Sequence, residues 1–267
     1  MTNNRGNTIK NMLPVIKSKY DKKSITNPSA LFKYRNKHDI SPSFKDLDGV
    51  IICYNKKQAE HIANKFKLKK SDGFRGNVYI YKENGKTLAL SANFGVGAPA
   101  ATLLLEEYVA LGIKKFITIG AAGTLQKNIK YRDFVLCDKA IRDEGTSYHY
   151  LKQSKFSYPS KKLFSLLKNE LHNTNSNFYV GTTWTTDAPY RETTDELREF
   201  QLQNVLIVEM EAAALFAVAQ YRNVNLASLF VVSDSIAQKK WTPQYHVLNG
   251  CFEKMFEFSV KALLDKK

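Results

Sequence analysis

The chain has 267 residues, of which 43% are hydrophobic, and this length and composition fit one large α/β domain or two small ones. It carries 40 Lys and Arg residues against 25 Asp and Glu, a formal net charge of +15 that would suit a nucleic-acid partner. No apolar run is long enough to span a bilayer and Met1 starts no signal-peptide pattern, so the sequence argues against a membrane protein.

The cysteines point to a reducing compartment. Cys53, Cys137 and Cys251 are far apart and lie in apolar surroundings. An odd, scattered set favours reduced thiols over disulfides or a zinc site. We therefore expect a soluble cytoplasmic protein without a metal site.

The positive charge is concentrated at the N-terminus. Residues 1–37 contain nine Lys and Arg and a single acid, Asp21, and thus hold +8 of the total charge. We interpret residues 1–46 as a basic N-terminal arm and residues 47–267 as the folded domain. The arm either contacts an anion or RNA, or docks on the body or on a neighbouring subunit. No RRM-type or recognition-helix motif follows it, which argues against nucleic acid.

Strand and helix patterns alternate from Asp48 onward. The predicted strands cover residues 49–53, 78–81, 87–92, 115–119, 133–137, 178–182, 205–208 and 226–232. The predicted helices cover residues 56–66, 98–111, 160–172, 194–203, 211–222 and 247–264. The dipeptide Asn84-Gly85 predicts a hairpin between the second and third strands. Because no linker follows residue 46, the pattern predicts a single three-layer α/β domain with a mixed sheet.

Two carboxylates, Glu209 and Glu211, stand where a buried strand ends and a helix begins. Ligands of α/β sheets bind at the carboxyl ends of strands, and residues two apart in an extended chain point the same way. A carboxylate at this place can accept hydrogen bonds from two neighbouring ribose hydroxyls, worth roughly 1.5–3 kcal/mol each. The alternative is that both acids complement the helix dipole.

Two glycine-rich segments are interpreted as turns. The segment 95–100, Gly-Val-Gly-Ala-Pro-Ala, follows a strand and precedes a helix, as a dinucleotide fingerprint does. The next strand lacks the acid that would hold a ribose, which argues against NAD. The segment 120–124, Gly-Ala-Ala-Gly-Thr, is predicted to let backbone amides approach an anion or a sugar.

Five segments together resemble the purine nucleoside/uridine phosphorylase family. In chain order they are GVGAPAA at 95–101, LGIKKFITIGAAG at 111–123, TTDAPY at 185–190, VEMEAAA at 208–214 and VVSD at 231–234. The resemblance implies a nucleoside phosphorylase-like α/β fold around a mixed, barrel-like sheet. It also implies a homo-oligomer, dimer-based or hexameric, whose active sites are completed by a neighbour.

The resemblance also implies roles for single residues. Asp234 matches the acid that protonates the leaving purine at N7, which chemistry requires because the base must be neutralised as it departs. Glu211 matches the carboxylate that holds the ribose hydroxyls, with Met210 against the sugar and Glu209 alongside. His38 lies about where the family places a histidine that reaches a neighbour's 5′-hydroxyl. Pro189 and Tyr190 are placed with Asp234 around the base.

The phosphate ligands of the family are replaced. Its Pro-Gly-Asp-Pro-x-Arg loop corresponds here to residues 53–58, Cys-Tyr-Asn-Lys-Lys-Gln, and an expected arginine is Thr118. The usual Ser or Thr after Gly120 is Ala121. The candidate anion ligands are therefore Gly120, Ala121, Lys56 and Lys57, although a lysine does not reproduce the bidentate fork of an arginine.

The resemblance thus implies a nucleoside phosphorylase that releases a purine base and ribose 1-phosphate, with inorganic phosphate as co-substrate and no cofactor. The positions that read uracil in the family are Thr193 and Asp195, which favours a purine. Two alternatives stay open. One is a nucleosidase of the same fold that uses water, and the other is a nucleoside- or nucleotide-binding protein without turnover.

Overall fold

A computed structural model describes residues 16–38, 46–73, 75–174 and 176–265 of the chain. Within these residues, eleven strands form one mixed sheet: β1 Gly49–Cys53, β2 Lys69–Ser71, β3 Asn77–Glu83, β4 Lys86–Ala92, β5 Lys115–Thr124, β6 Phe134–Asp143, β7 Phe156–Ser157, β8 Phe178–Thr186, β9 Ile207–Glu209, β10 Asn225–Ser235 and β11 Thr242–Pro243. The predicted α/β class with a mixed, barrel-like sheet is confirmed.

The centre of the sheet closes on itself. The strands β10, β6, β8, β9 and β5 are paired in that order, and β5 pairs again with β10 in parallel. Strands β1, β4, β3 and β2 extend the sheet beyond β5. Closure brings the ends of β5 and β10 beside β9, and this part of the sheet carries the candidate site.

Seven α-helices cover the sheet in the described part of the chain: α1 Pro28–Lys37, α2 Lys56–Lys65, α3 Ala98–Ala110, α4 Lys161–His172, α5 Thr194–Leu202, α6 Ala212–Arg222 and α7 Asn249–Leu264. Helices α2, α4 and α7 pack over one apolar cluster, and α3 and α6 pack together over another. The predicted three layers are therefore helix, sheet and helix. None of these helices is both long and apolar enough to cross a membrane.

Four strands extend well past their predicted carboxyl ends. Strand β5 runs to Thr124, β6 to Asp143, β8 to Thr186 and β10 to Ser235. Their last residues are small or polar, a composition that is typical of loops in isolation. Here they stay extended because each edge is paired inside the closed sheet, where tertiary context overrides local preference.

Part of the predicted arm is an ordered helix. Helix α1 is capped by the Asn27 side chain and lies against α3. It buries Phe32, and the Arg35 guanidinium lies 3.6 Å from the buried carboxylate of Glu107. Residues 1–15 and 39–45 lie outside the described residues, so the predicted boundary at residue 46 stays a prediction.

Candidate functional site

A cavity of about 650 Å³ opens at the rim where β5, β9 and β10 end. This volume is within the range of small-molecule sites. Its wall contains Ala121, Ala122, Gly123, Pro189, Tyr190, Glu192, Thr193, Thr194, Leu197, Val208, Glu209, Met210, Ser233, Asp234, Ile236, Lys239, Lys240, Trp241 and Tyr245. Six of the predicted site residues are thus brought together: Asp234, Glu209, Met210, Pro189, Tyr190 and Ala121.

Asp234 is held in the cavity wall by a β-bulge. The pairing of β10 with β5 shifts register between Val232 and Asp234, which leaves Ser233 as the extra residue. A bulge re-aims the side chains around it. The Ser233 hydroxyl consequently reaches its own neighbour and donates to Asp234 Oδ1 at 2.6 Å, while Trp241 Nε1 donates to Oδ2 at 2.9 Å. The carboxylate is buried, and both of its oxygens are oriented.

Glycine at position 123 allows this approach. A Cβ on Gly123 would lie 2.9 Å from Asp234 Oδ2 and 3.3 Å from Val208 Cγ1. Strand β5 therefore needs a residue without a side chain opposite the acid.

Glu209 is a structural carboxylate with both oxygens engaged. Its Oε2 accepts hydrogen bonds from the amides of Glu211 and Ala212 at 2.8 and 2.7 Å, and so caps the start of α6. Its Oε1 accepts from the hydroxyls of Thr185 and Thr183 at 2.5 and 3.3 Å. Burial raises the pKa of Glu209 to about 7, although the four hydrogen-bond donors favour the ionised form and so lower the pKa. The helix-capping alternative thus describes Glu209 well.

Glu211 differs from Glu209 in its partners. It does not line the cavity, but it is buried and follows the wall residue Met210 in the chain, and its Oε1 accepts the Gly97 amide at 2.8 Å. Burial, then the nearby charge of Glu209, raises the pKa of Glu211 to about 8. Since a carboxylate offers about four acceptor sites, this residue keeps capacity for further donors.

The turn at Gly95 and Gly97 makes a close approach to Glu211 that the sequence did not predict. Both residues have positive φ, 113° and 87°, which favours glycine. The turn presents the Gly97 amide to Glu211, and a Cβ on Gly97 would lie 3.9 Å from Met210 Cε. Gly97, which immediately precedes α3, thereby orients the carboxylate of Glu211, which immediately precedes α6.

The second predicted turn was wrong, because residues 120–124 are the last part of β5. The predicted role of Gly120 as an anion ligand stays a prediction. Gly120 makes room for an aromatic ring, since a Cβ there would lie 2.5 Å from Tyr54 Cδ2. Burial, followed by the charges of Glu211 and Glu209, raises the pKa of Tyr54 well above its usual value. Tyr54 thus fills space beside the two carboxylates.

Three predicted site residues lie apart from the cavity. Lys56 and Lys57 are exposed in the first turn of α2, where Lys56 Nζ lies 3.9 Å from Glu60, and neither lines the cavity. His38 is exposed at the end of α1, where its ring lies 4.5 Å from that of Tyr34. The proposed contact of His38 is with a neighbouring subunit, so it stays a prediction.

Three residues in the cavity wall near Asp234 were not predicted from the sequence, namely Glu192, Trp241 and Tyr245. Burial raises the pKa of Glu192 to about 7, and the charges of Asp234 and Glu196 add to this shift. The other two, Trp241 and Tyr245, are half exposed, with ring centroids 6.5 Å apart. A tryptophan in a polar loop seven residues after the predicted acid was the available signal for Trp241.

Known proteins of one family are similar to this chain. A family model described as the phosphorylase superfamily matches residues 49–256. A guanosine phosphorylase of Halorubrum lacusprofundi is 28% identical over 142 residues, 53% of this chain and 59% of that relative. The match thus spans less than two thirds of the Halorubrum protein.

Two DeoD-type purine nucleoside phosphorylases are similar over longer segments. That of Buchnera aphidicola is 30% identical over 163 residues, 60% of this chain and 67% of the relative. That of Bacillus cytotoxicus is 30% identical over 198 residues, 73% of this chain and 82% of the relative. The family model matches most of the length of the chain, and the closed sheet and the oriented Asp234 agree with that match. The chain therefore belongs to the phosphorylase superfamily.

Proposed function

We propose that this chain cleaves the N-glycosidic bond of a purine nucleoside and releases the free base. The observation that carries the proposal is Asp234, a buried carboxylate that two donors orient in the wall of a nucleoside-sized cavity. The names of the relatives, purine nucleoside and guanosine phosphorylases, support the same reaction.

Asp234 is assigned to the leaving base. As the C1′–N9 bond breaks, its electron pair moves into the purine, and the proton of the Asp234 carboxyl passes to N7. The base then departs neutral, and the sugar carbon carries the positive charge of an oxocarbenium-like state. Pro189 and Tyr190 lie in the same wall and are assigned to the base, Tyr190 being almost fully exposed and free to cover it.

Glu211 is assigned to the ribose. The Gly97 amide fixes one oxygen of its carboxylate, which leaves acceptor sites for the 2′- and 3′-hydroxyls. Met210, which precedes it in the chain and lies in the wall, is assigned to pack on the sugar ring. The four donors on Glu209 support a different role for that residue, which is to fix the first turn of α6 and with it Glu211.

The nucleophile that completes the reaction is assigned as inorganic phosphate. One of its oxygens forms a bond to C1′, and the product is ribose 1-phosphate. The relatives' names support this choice. Hydrolysis is the second candidate, because the predicted phosphate ligands are not all gathered at the cavity. The ring of Tyr54 lies against Gly120, where an anion was expected from the sequence. Lys56 and Lys57 lie outside the cavity.

Incubation of the protein with adenosine, inosine, guanosine and uridine, with and without phosphate, tests the function. We expect free purine but no uracil, and chromatography of the sugar product distinguishes ribose 1-phosphate from ribose. Release that does not depend on phosphate and yields ribose would select hydrolysis. Binding of a purine nucleoside without release of its base would leave a binding protein and refute the proposal.

A further inference from the structure

Asp234 is oriented by neutral donors. Its Oδ1 accepts the Ser233 hydroxyl at 2.6 Å and its Oδ2 accepts the Trp241 indole N–H at 2.9 Å. Other titratable or charged groups line the same cavity, namely Glu192, Glu209, Tyr190, Tyr245, Lys239 and Lys240. Among the described residues, none of these lysines forms an ion pair with Asp234, so its orientation depends on the hydroxyl and the indole.

Backbone pairing fixes the place of Trp241. The short strand β11 pairs antiparallel with the end of β10, with Pro243 opposite Asp234 and Thr242 opposite Ser235. The Gln244 amide donates to the Ser233 carbonyl at 2.8 Å, next to the bulge. Trp241 immediately precedes this pairing, so the hairpin holds its indole beside the acid.

The exposure of Trp241 shows that it is not a core residue. The side chain is 55% exposed, whereas Trp184, the other tryptophan, is 1% exposed in the apolar interior. A large aromatic ring left in solvent gains little from burial. Its contacts are instead with Asp234 and with the ring of Tyr245, and both of these residues line the cavity.

We propose that Trp241 is the positioning residue for Asp234, and that its indole N–H sets the orientation in which the carboxyl meets the departing base. The inference rests on the proposed function. Trp241 acts through Asp234 and does not itself transfer a proton. As the proton leaves Asp234, its carboxylate becomes charged, and the Trp241 N–H then donates to a charged group. Loss of such a hydrogen bond in the transition state lowers the rate about 10- to 100-fold.

The test is Trp241→Phe, which removes the N–H and keeps an aromatic ring in the wall. We expect kcat for inosine to fall about 10- to 100-fold with KM changed less than about threefold. We expect 7-methylguanosine to be affected less than about threefold, because its alkylated base leaves neutral without a proton from Asp234. An equal loss on both substrates, or no loss on inosine, would overturn the proposal.

Trp184→Phe is the matched control. It removes an indole N–H that donates to Asp143 Oδ2 at 2.8 Å, and neither residue lines the cavity. Any general cost of the exchange should slow both substrates by the same factor in this variant. A selective loss on inosine in Trp184→Phe equal to that in Trp241→Phe would contradict the assignment.

A measurement without turnover separates this inference from the proposed function. In protein labelled with ¹⁵N-tryptophan, the Trp241 indole N–H resonance should shift on Asp234→Asn, while that of Trp184 stays in place. An unchanged Trp241 resonance would overturn the positioning role whatever the activity. A protein that shows the shift but cleaves neither nucleoside would refute the proposed function alone.

Discussion

Glu209 and Glu211 are two residues apart, yet they have different chemical roles. Glu209 accepts four hydrogen bonds from the protein, while Glu211 accepts the Gly97 amide and follows the cavity-wall residue Met210 in the chain. The sequence predicted that both side chains point the same way. The chain leaves the strand at Glu209, and Glu211 lies at φ −135°, ψ −34°, so the strand rule no longer applies there.

Glu211→Gln should lose activity and gain stability at alkaline pH. The raised pKa, about 8 in the folded chain against 4.5 as the reference value, means that the folded state holds a proton which the unfolded state has released. The free energy of unfolding of the wild type therefore falls as pH rises from about 4.5 to 8, and glutamine removes this loss. Turnover above about pH 8, where the Glu211 side chain is ionised, should fall because an amide cannot accept from both hydroxyls as a carboxylate does.

Thermal unfolding across pH checks this prediction. The Tm of Glu211→Gln should match that of the wild type near the acid end of this range and exceed it by at least ~2 °C near the alkaline end. A Tm difference that does not grow with pH would show that Glu211 is ionised in the folded chain throughout this range.

At the scale of elements, the site depends on how closely β5 and β10 approach. Gly123 stands opposite Asp234 in the register of the two strands. Gly123→Ala should push the carboxylate aside, because its Cβ would lie 2.9 Å from Oδ2. Since the clash is with the end of a side chain, the loss of stability should be about 1 kcal/mol, whereas kcat should fall at least about tenfold.

Gly250→Ala is the matched control for that exchange. Gly250 lies in α7, and a Cβ added there would meet nothing within 4 Å. It should keep wild-type kcat and the same or slightly higher Tm. If Gly123→Ala is as active as this control, β5 does not set the position of Asp234.

Hydrophobic periodicity predicted the type and order of the long elements, since buried strands and amphipathic helices depend on local pattern. Their ends were less predictable. Residues 120–124 have the composition of a turn, but pairing with β9 and β10 keeps them extended. Helix α1 was missed because it buries a single apolar side chain, Phe32, and so shows no apolar stripe.

Only the part of the candidate site that depends on local sequence motifs was predicted. Asp234, Glu211 and Met210 lie in contiguous motifs that a sequence displays directly. Trp241 reaches Asp234 through the β10–β11 hairpin, and Glu192 reaches the cavity from the segment before α5. Such contacts arise from tertiary folding. The place of Trp241 in a polar loop shortly after Asp234 is a signal in the sequence, but it does not specify the contact.

At the scale of the whole molecule, helix α1 of the basic N-terminal arm has a structural role. Arg35 and Arg75 both approach the buried carboxylate of Glu107, at 3.6 and 3.0 Å. Helix α1 is thereby attached to the body, and His38 at its end is exposed to solvent. This arrangement fits the prediction that His38 serves a neighbouring active site.

Subunit mixing tests that prediction. His38→Ala and Asp234→Asn should each be nearly inactive, yet an oligomer assembled from both should regain part of the activity. In the mixture, some sites combine an intact Asp234 with an intact His38 from the adjacent chain. Full activity of a monomer, shown by light scattering, would contradict a shared site.

The most direct measurement of the central claim compares Asp234→Asn with the wild type on two substrates. We predict that the variant cleaves inosine roughly a hundred- to ten-thousand-fold more slowly, the usual size of general-acid effects, and cleaves 7-methylguanosine at a rate much closer to that of the wild type. An equal loss on both substrates, or unchanged cleavage of inosine, would contradict the assignment of Asp234 as the acid of the leaving purine.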